Sequence, residues 1–286
     1  MVYSDSFPAI PTKRNNLYNF IINFSIQNKT IYYTQYTLKV HFMKKEQLIA
    51  EFNRIGISNG DILEVHSSLS SFGHVEGGAE TVIEALMECV GEDGTIFMPA
   101  LRLSPELELT ENDMKLGVTV KIKILSENAP RTAMGVIADT FRQRRDVVTG
   151  DGIFRISGWG KYADEAVKGG LDYAIHNGGK ALLLGVDIYK LTAMHYVENC
   201  LPEKIKNAFA PNEEVCKIYP SDEWFIEMGE PPVKPWYTIQ NMAYSKGYID
   251  DGYIGKCKYM LFEIFSVIDL YKQELENNPF NLYGME

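Results

Sequence analysis

An α/β domain with a largely parallel or mixed central sheet flanked by helices is predicted by three observations. Short apolar runs of strand length alternate with stretches of helical apolar spacing. Glycine-bearing turns punctuate them at residues 58–60, 91–94 and 178–180. No 18–20-residue apolar run interrupts the alternation, the longest being about the size of Ala181-Leu182-Leu183-Leu184. In order, residues 46–55 place Leu48, Ile49, Phe52 and Ile55 at helical spacing. Residues 61–66 read as a buried strand, and 67–78 as a Ser/Gly-rich connection. Residues 78–90 read as a helix with Val82, Ile83, Leu86, Met87 and Val90 on one face, and 95–99 as the next strand. A helix over 134–142, a strand over 181–185, a helix over 191–201, a strand over 255–262 and a helix over 267–275 complete the alternation. Residues 211–235 are acidic and proline-bearing, and read as a surface excursion.

Composition narrows the function classes. A chain of 286 residues, 45% hydrophobic and 23% charged, is neither disordered nor collagenous and is long enough to bury a large core. Cys89, Cys200, Cys216 and Cys257 are scattered without a CxxC pair, which predicts reduced thiols, no zinc pattern and a cytoplasmic location. A net charge of −10 disfavours non-specific nucleic-acid binding. It fits attraction of a cationic substrate, or solubility alone.

Residues 1–42 differ from the rest. Lys13, Arg14, Lys29 and Lys39 against Asp5 give +3, which leaves −13 on the remainder of a chain that totals −10. The segment has no glycine and nine aromatics, whereas Met43-Lys44-Lys45-Glu46 reads as an ordinary start. Its apolar stretch is too short for a signal-peptide core. The expected organisation is an atypical extension over 1–42, either disordered or translated upstream sequence, with an added strand as the structural alternative. A single α/β domain over 43–286 follows it.

Two stretches carry chemistry. His66-Ser67-Ser68-Leu69-Ser70-Ser71 follows a predicted strand, and Gly77-Gly78 then opens a helix. Ligands of α/β sheets bind at carboxyl ends of strands, where hydroxyls and backbone N–H groups cradle phosphate oxygens. The pattern is neither GxGxxG nor a P-loop, and a capped loop is the plainer alternative. In Leu191-Thr192-Ala193-Met194-His195-Tyr196-Val197-Glu198, His195 and Glu198 are one helical turn apart. A carboxylate on one imidazole nitrogen fixes the tautomer and raises the basicity of the other, making a general base. A surface ion pair is the alternative. Zinc would need a third ligand and HExxH spacing, and an α/β-hydrolase nucleophile would need GxSxG; neither pattern is present.

Taken in order, the segments 65–73, 77–83, 94–99, 130–142, 159–160 and 182–198 resemble the aminoglycoside 3-N-acetyltransferase family, of which this chain looks like a divergent member. The resemblance covers about residues 43–270. It implies that family's own α/β fold rather than the common acetyltransferase fold, whose pyrophosphate motif is absent. It implies acetyl-CoA as cosubstrate, with no metal, contacted by His66, Ser67, Ser68, Leu69, Ser70, Ser71, Thr132, Met134 and Gly135. It makes His195 and Glu198 the catalytic pair, with Thr192 a candidate oxyanion or substrate contact. The implied partners are coenzyme A and a small amine such as the 3-amino group of an aminoglycoside, with no nucleic acid and no membrane.

Three stretches depart from the family pattern. Arg155 replaces a small hydroxyl residue, residues 167–179 are too short for the family's acidic loop and the turn after it, and residues 101–129 lack a tryptophan- and proline-rich insertion. Leu171-Asp172-Tyr173 reads as a helix rather than as that acidic loop. These departures fall on the acceptor side. The alternative expectation is therefore a coenzyme A-binding protein of the same fold with altered or lost acceptor chemistry.

Overall fold

The computed structural model describes residues 17–23, 33–39, 42–229 and 233–285. The chain divides into two compact units, Met1–Phe42 and Met43–Glu286. In the first, β1 (Leu17–Asn23) and β2 (Tyr33–Lys39) pair antiparallel, with Leu17 opposite Lys39. The expectation of a disordered or upstream-translated extension bears otherwise on residues 1–16 and 24–32, which lie outside the described residues.

The second unit begins with α1 (Lys45–Arg54), whose Leu48 and Phe52, four apart, are fully buried. β3 (Ile62–Ser67), α2 (Ala79–Val90) and β4 (Thr95–Pro99) follow. The chain then runs through α3 (Glu111–Lys115) and β5 (Val118–Lys123), and returns to the sheet by α4 (Gly135–Arg142), β6 (Val148–Thr149) and β7 (Ile156–Gly160). After α5 (Ala163–Gly169), α6 (Leu171–His176) and β8 (Lys180–Leu184), it makes two 3-10 turns before α7 (His195–Glu198). α8 (Glu203–Phe209), α9 (Glu213–Ile218), β9 (Trp224–Met228) and α10 (Val233–Ser245) come next. The hairpin β10 (Asp250–Ile254) and β11 (Cys257–Glu263), then α11 (Ile264–Asn277) and α12 (Pro279–Leu282), complete the unit.

The main sheet has seven strands in the order β10-β11-β8-β3-β4-β7-β6. Its centre, β8-β3-β4, is parallel and every other pairing is antiparallel, which is the mixed sheet expected. Side chains alternate across a strand, so each central strand feeds two cores. Leu63 and Val65 of β3, Ile96 and Met98 of β4, and Leu182 and Leu184 of β8 join α1, α2 and α4 on one face. Phe97, Ala181 and Leu183 point the other way, into the layer made by α10, α11 and the segment 188–197. On β3 that second face is occupied by Glu64 and His66, both buried. Among the described residues no helix is long and apolar enough to cross a membrane.

Two expectations are corrected. The helix expected over 191–201 is a 3-10 turn, Thr192–Met194, followed by the short α7. Its first amides, those of Thr192 and Ala193, are directed at side chains of β3. The excursion expected over 211–235 contains β9, which pairs with β5 in a separate two-stranded sheet. Val118, Val215 and Ile226 form a small core under this sheet, next to the buried Asp113 and Lys121. Lys121 Nζ donates to Asp113 Oδ2 at 2.9 Å and to Tyr219 Oη at 3.0 Å, and the Tyr219 hydroxyl donates to Asp113 Oδ1. Burial opposes ionisation of Asp113, but these bonds and the Thr110 cap together hold its carboxyl well below the usual carboxylate range.

Candidate active site

β3 ends at Ser67, where the chain bends through a 3-10 turn, Leu69–Phe72, anchored by the buried Phe72. Ser68 N–H donates to Leu184 O at 2.8 Å and ties the bend to the end of β8. Ser71 Oγ donates to Ser68 O at 2.7 Å and lies 3.0 Å from Cys257 Sγ, so this hydroxyl faces the interior. Gly185 has φ +69°, and a Cβ there would fall 1.9 Å from Ser71 Oγ, so a side chain cannot be accommodated without moving the bend. Ser70 is exposed and Ser67 and Ser68 are half-buried, with Ser68 Oγ and Ser70 Oγ 3.1 Å apart. These hydroxyls are the ones open to a ligand.

The second expected coenzyme segment meets the first. α4 packs on β3 and on the bend. A Cβ on Gly135 would lie 3.5 Å from Ser67 O, so the segment 132–135 runs directly beside the strand end. Thr132 spends its hydroxyl internally: Oγ1 donates to Asp139 Oδ1 at 2.9 Å and accepts Met134 N–H at 3.1 Å. Thr132 therefore shapes this corner.

Arg155 spends its guanidinium on backbone carbonyls. It is buried, and its Nη2 donates to Glu127 O at 2.7 Å. Arg102 Nε donates to Leu125 O, and Arg142 Nη2 donates to Ala129 O. Three guanidinium groups thus hold alternate carbonyls of 125–129, the run leading into Thr132. Burial, then the charges of Arg142 and Arg102, lower the pKa of Arg155.

His195 and Glu198 stay together. His195 Nδ1 is 2.5 Å from Glu198 Oε2, and Trp236 Nε1–H donates to Glu198 Oε1 at 2.9 Å. Both carboxylate oxygens are thereby fixed in direction, and His195 Nε2 is left as the free basic nitrogen. The buried Leu191, Ala193, Met194 and Val197 anchor the segment, while the imidazole is 56% exposed and meets the edge of Trp236 at 5.0 Å. Burial opposes protonation of His195. The Glu198 hydrogen bond and the charges of Glu198, Glu227 and Glu64 outweigh it and raise the imidazole above its ordinary value.

Glu227 was invisible to sequence reasoning. On β9, Ile226 faces the small core, with Trp224 and Met228 packed against it, so Glu227 and Phe225 occupy the opposite face. Burial and the charges of Glu198 and Glu106 raise the Glu227 carboxyl, against the lowering influence of His195. Burial first, then Glu227, Glu106, Glu198 and Asp187, raise the Tyr189 phenol. The charges of Glu227, Glu106, Glu198 and Asp187 thus act on the Tyr189 phenol, while those of Glu198, Glu227 and Glu64 act on the imidazole. Asp172 does not take part through hydrogen bonds or ion pairs; it is exposed on α6, as the helical reading of 171–173 requires.

The backbone amide of Ala193 is already engaged, by Glu64 Oε1 at 3.1 Å, and that of Thr192 is directed at His66 Nε2 at 3.2 Å. The Ala193 amide is therefore unsuited to holding an oxyanion, and the Thr192 hydroxyl has no partner among the described residues. The same two contacts bring the bend and the His195 segment together. The His66 ring lies in the interior beside Glu64 rather than on the open side of the bend.

Residues 65–276 match the family described as Aminoglycoside 3-N-acetyltransferase. The chain belongs to this family. It is 28% identical over 263 residues to the SPbeta prophage-derived aminoglycoside N(3')-acetyltransferase-like protein YokD of Bacillus subtilis (strain 168), covering 82% of this chain and 93% of that protein. It is 30% identical over 187 residues to aminoglycoside N(3)-acetyltransferase III of a Salmonella species, covering 54% of this chain but only 60% of that enzyme. The solved structure of AAC-IIIb with CoASH shares the fold at a TM-score of 0.61 and 17% identity, over 83% of this chain and 97% of that one. The family is one of acetyltransferases, and the ordered run of short motifs in the sequence had pointed to it.

Proposed function

We propose that the chain transfers the acetyl group of acetyl-CoA to an amine of a small polycationic acceptor, in the manner of an aminoglycoside 3-N-acetyltransferase. The observation that carries this reading is the orientation of His195. Nδ1 is held on a carboxylate that Trp236 holds in turn, and Nε2 has no partner among the described residues, with the charges of Glu198, Glu227 and Glu64 acting on the ring. Ser67 to Ser70, with Gly135 beside them, are suited to the coenzyme's polar groups. The solved complex of AAC-IIIb with CoASH supports coenzyme A as the ligand here.

In this reading the acceptor nitrogen, neutral at the moment of attack, forms a bond to the thioester carbonyl carbon. His195 Nε2 accepts the proton released as the C–N bond forms, and the imidazolium is stabilised by Glu198. The carbonyl oxygen becomes an oxyanion, for which the Thr192 hydroxyl, without a partner among the described residues, is the donor we assign. Collapse breaks the C–S bond, and the proton passes to the leaving thiolate. General-base assistance is worth about 10²–10⁴-fold. Holding amine and thioester together supplies on the order of 7–11 kcal/mol more.

Glu227 and Glu106 supply negative charge for the acceptor's other ammonium groups. His195→Ala tests the reading: acetyl transfer is abolished while coenzyme A binding, measured by calorimetry, is retained. Turnover surviving in that variant overturns the base assignment. Thiol release over a panel of aminoglycosides and simple polyamines tests the acceptor class. No acceptor-dependent release would favour a coenzyme A-binding protein without acceptor chemistry.

A further inference from the structure

Glu64 and His66 point from β3 into the second core, where the neighbouring strands contribute Phe97, Ala181 and Leu183. They are 1% and 6% exposed. Glu64 Oε1 is 2.8 Å from His66 Nε2 and accepts Ala193 N–H at 3.1 Å. The amide of Thr192 is directed at the same His66 nitrogen at 3.2 Å. Glu64 Oε2 is buried with no partner among the described residues. A buried carboxylate with one unsatisfied oxygen is costly, and apolar side chains of similar volume would fill this layer at lower free energy. Retention of the pair is therefore better explained by what it touches. On one side is His66, which heads the bend. On the other are two amides, and Ala193 is only two residues before His195.

We infer that Glu64 is a positioning residue for His195: it ties the segment 192–195 to the bend and places a further negative charge beneath the imidazole. This rests on His195 being the base. The position matters because a misplacement of about 1 Å between reacting groups costs on the order of 10²-fold in rate. The charged or titratable groups facing His195 are Glu198 on α7, Glu227 on β9 and Glu64 on β3; α10 contributes the neutral Trp236. Glu106, before α3, and Tyr189, after β8, stand behind Glu227. His176 of α6 is directed at Tyr196 instead. Each of the three carboxylates raises the imidazole, and among them only Glu64 also holds the backbone of its segment.

Two variants separate the anchor from the charge. Glu64→Gln keeps an oxygen for the Ala193 amide and loses the charge; Glu64→Ala loses both. NMR of the imidazole nitrogens, with the His195 signals assigned by their loss in His195→Ala, gives the titration midpoint of His195 without any acceptor present. The midpoint is expected to move to lower pH in Glu64→Gln at unchanged thermal stability, which a purely packing role would not cause. With acetyl-CoA and an aminoglycoside, kcat is expected to fall about 10²-fold in Glu64→Ala and far less in Glu64→Gln. An unmoved midpoint in Glu64→Gln, or wild-type kcat in Glu64→Ala, overturns the inference. Turnover surviving in His195→Ala would instead overturn the base assignment and leave the titration result intact, so the two failures are distinguishable.

Discussion

Trp236→Phe isolates the outermost link of the proposed Trp236–Glu198–His195 relay. The indole N–H donates to Glu198 Oε1 at 2.9 Å while Oε2 holds His195 Nδ1 at 2.5 Å, so the carboxylate is gripped at both oxygens. Phenylalanine keeps an aromatic edge near the imidazole, removes the donor and leaves a small void in the core, which circular dichroism and a thermal melt account for separately. A hydrogen bond to a charged group is worth about 1.5–3 kcal/mol, and expressed fully in the transition state that is roughly 10–150-fold in rate. Part of it is recovered when Glu198, 20% exposed at its side chain, accepts from water. We therefore expect kcat to fall about tenfold, near the lower bound of that range. Trp236 meets Glu198, His195, Tyr189 and the buried Tyr271, none of them on the coenzyme bend, so KM for acetyl-CoA should not change. The pH profile gives a second, independent readout. Without its indole donor, Glu198 keeps more negative charge and stabilises the imidazolium further. The base is then protonated up to a higher pH, and the acid limb of kcat/KM moves upward. Steady-state kinetics across pH, with circular dichroism to confirm folding, measures both. Wild-type kcat with an unmoved acid limb would refute the relay.

Other perturbations probe the acceptor side, the coenzyme bend and the fold. Glu227→Gln removes a partner for acceptor ammonium groups and should raise acceptor KM by about tenfold with little change in kcat; steady-state kinetics with a polycationic acceptor checks it. The same variant lowers the imidazole value, so its acid limb should move down, opposite to that of Trp236→Phe. Gly185→Ala forces a Cβ against Ser71 Oγ, and should raise KM for acetyl-CoA and lower Tm, read by kinetics and thermal melts. Asp113→Asn leaves Lys121 buried without its counter-charge and should cost about 3–5 kcal/mol in urea unfolding. The depressed Asp113 carboxyl stabilises the wild type above its unfolded value near ~3.9, and that contribution is lost as pH falls through the folded value. The acid-unfolding limb of Asp113→Asn should accordingly be flatter.

The parts of the fold legible in the sequence are those whose signal is local. Residues 95–99 read as a strand and are one, because five consecutive buried positions leave no amphipathic alternative. Helices over 79–90 and 135–142 were visible from their apolar stripes. β5 and β9 were not, because each is short, half polar, and paired with a partner roughly a hundred residues away. Glu227 was hidden with them. A carboxylate on a strand too weak to predict carries no signal of its own, although the alternation of Trp224, Ile226 and Met228 could have placed it on the opposite face. Trp236 was likewise missed. His195 and Glu198 were found because two residues three apart on one helical face are a contact the sequence itself specifies.

Net charge does not settle whether the acidity serves solubility or substrate attraction, but its placement does bear on it. Glu198 on α7 and Glu227 on β9 act on the imidazole from stretches distant in sequence, Glu106 acts on Glu227 in turn, and Asp187 joins them at Tyr189. Carboxylates so close repel one another, and burial adds to the cost at Glu227, whose carboxyl is raised for both reasons. Solubility would spread such charges over the surface. Gathering them beside a base lowers the cost only when a polycation is present to neutralise them, and the same cation brings the amine that the base is placed to serve. Such an arrangement implies that acceptor encounter, and hence kcat/KM for the acceptor, falls as ionic strength rises toward the ~8 Å screening length of physiological salt, while kcat/KM for a neutral amine does not.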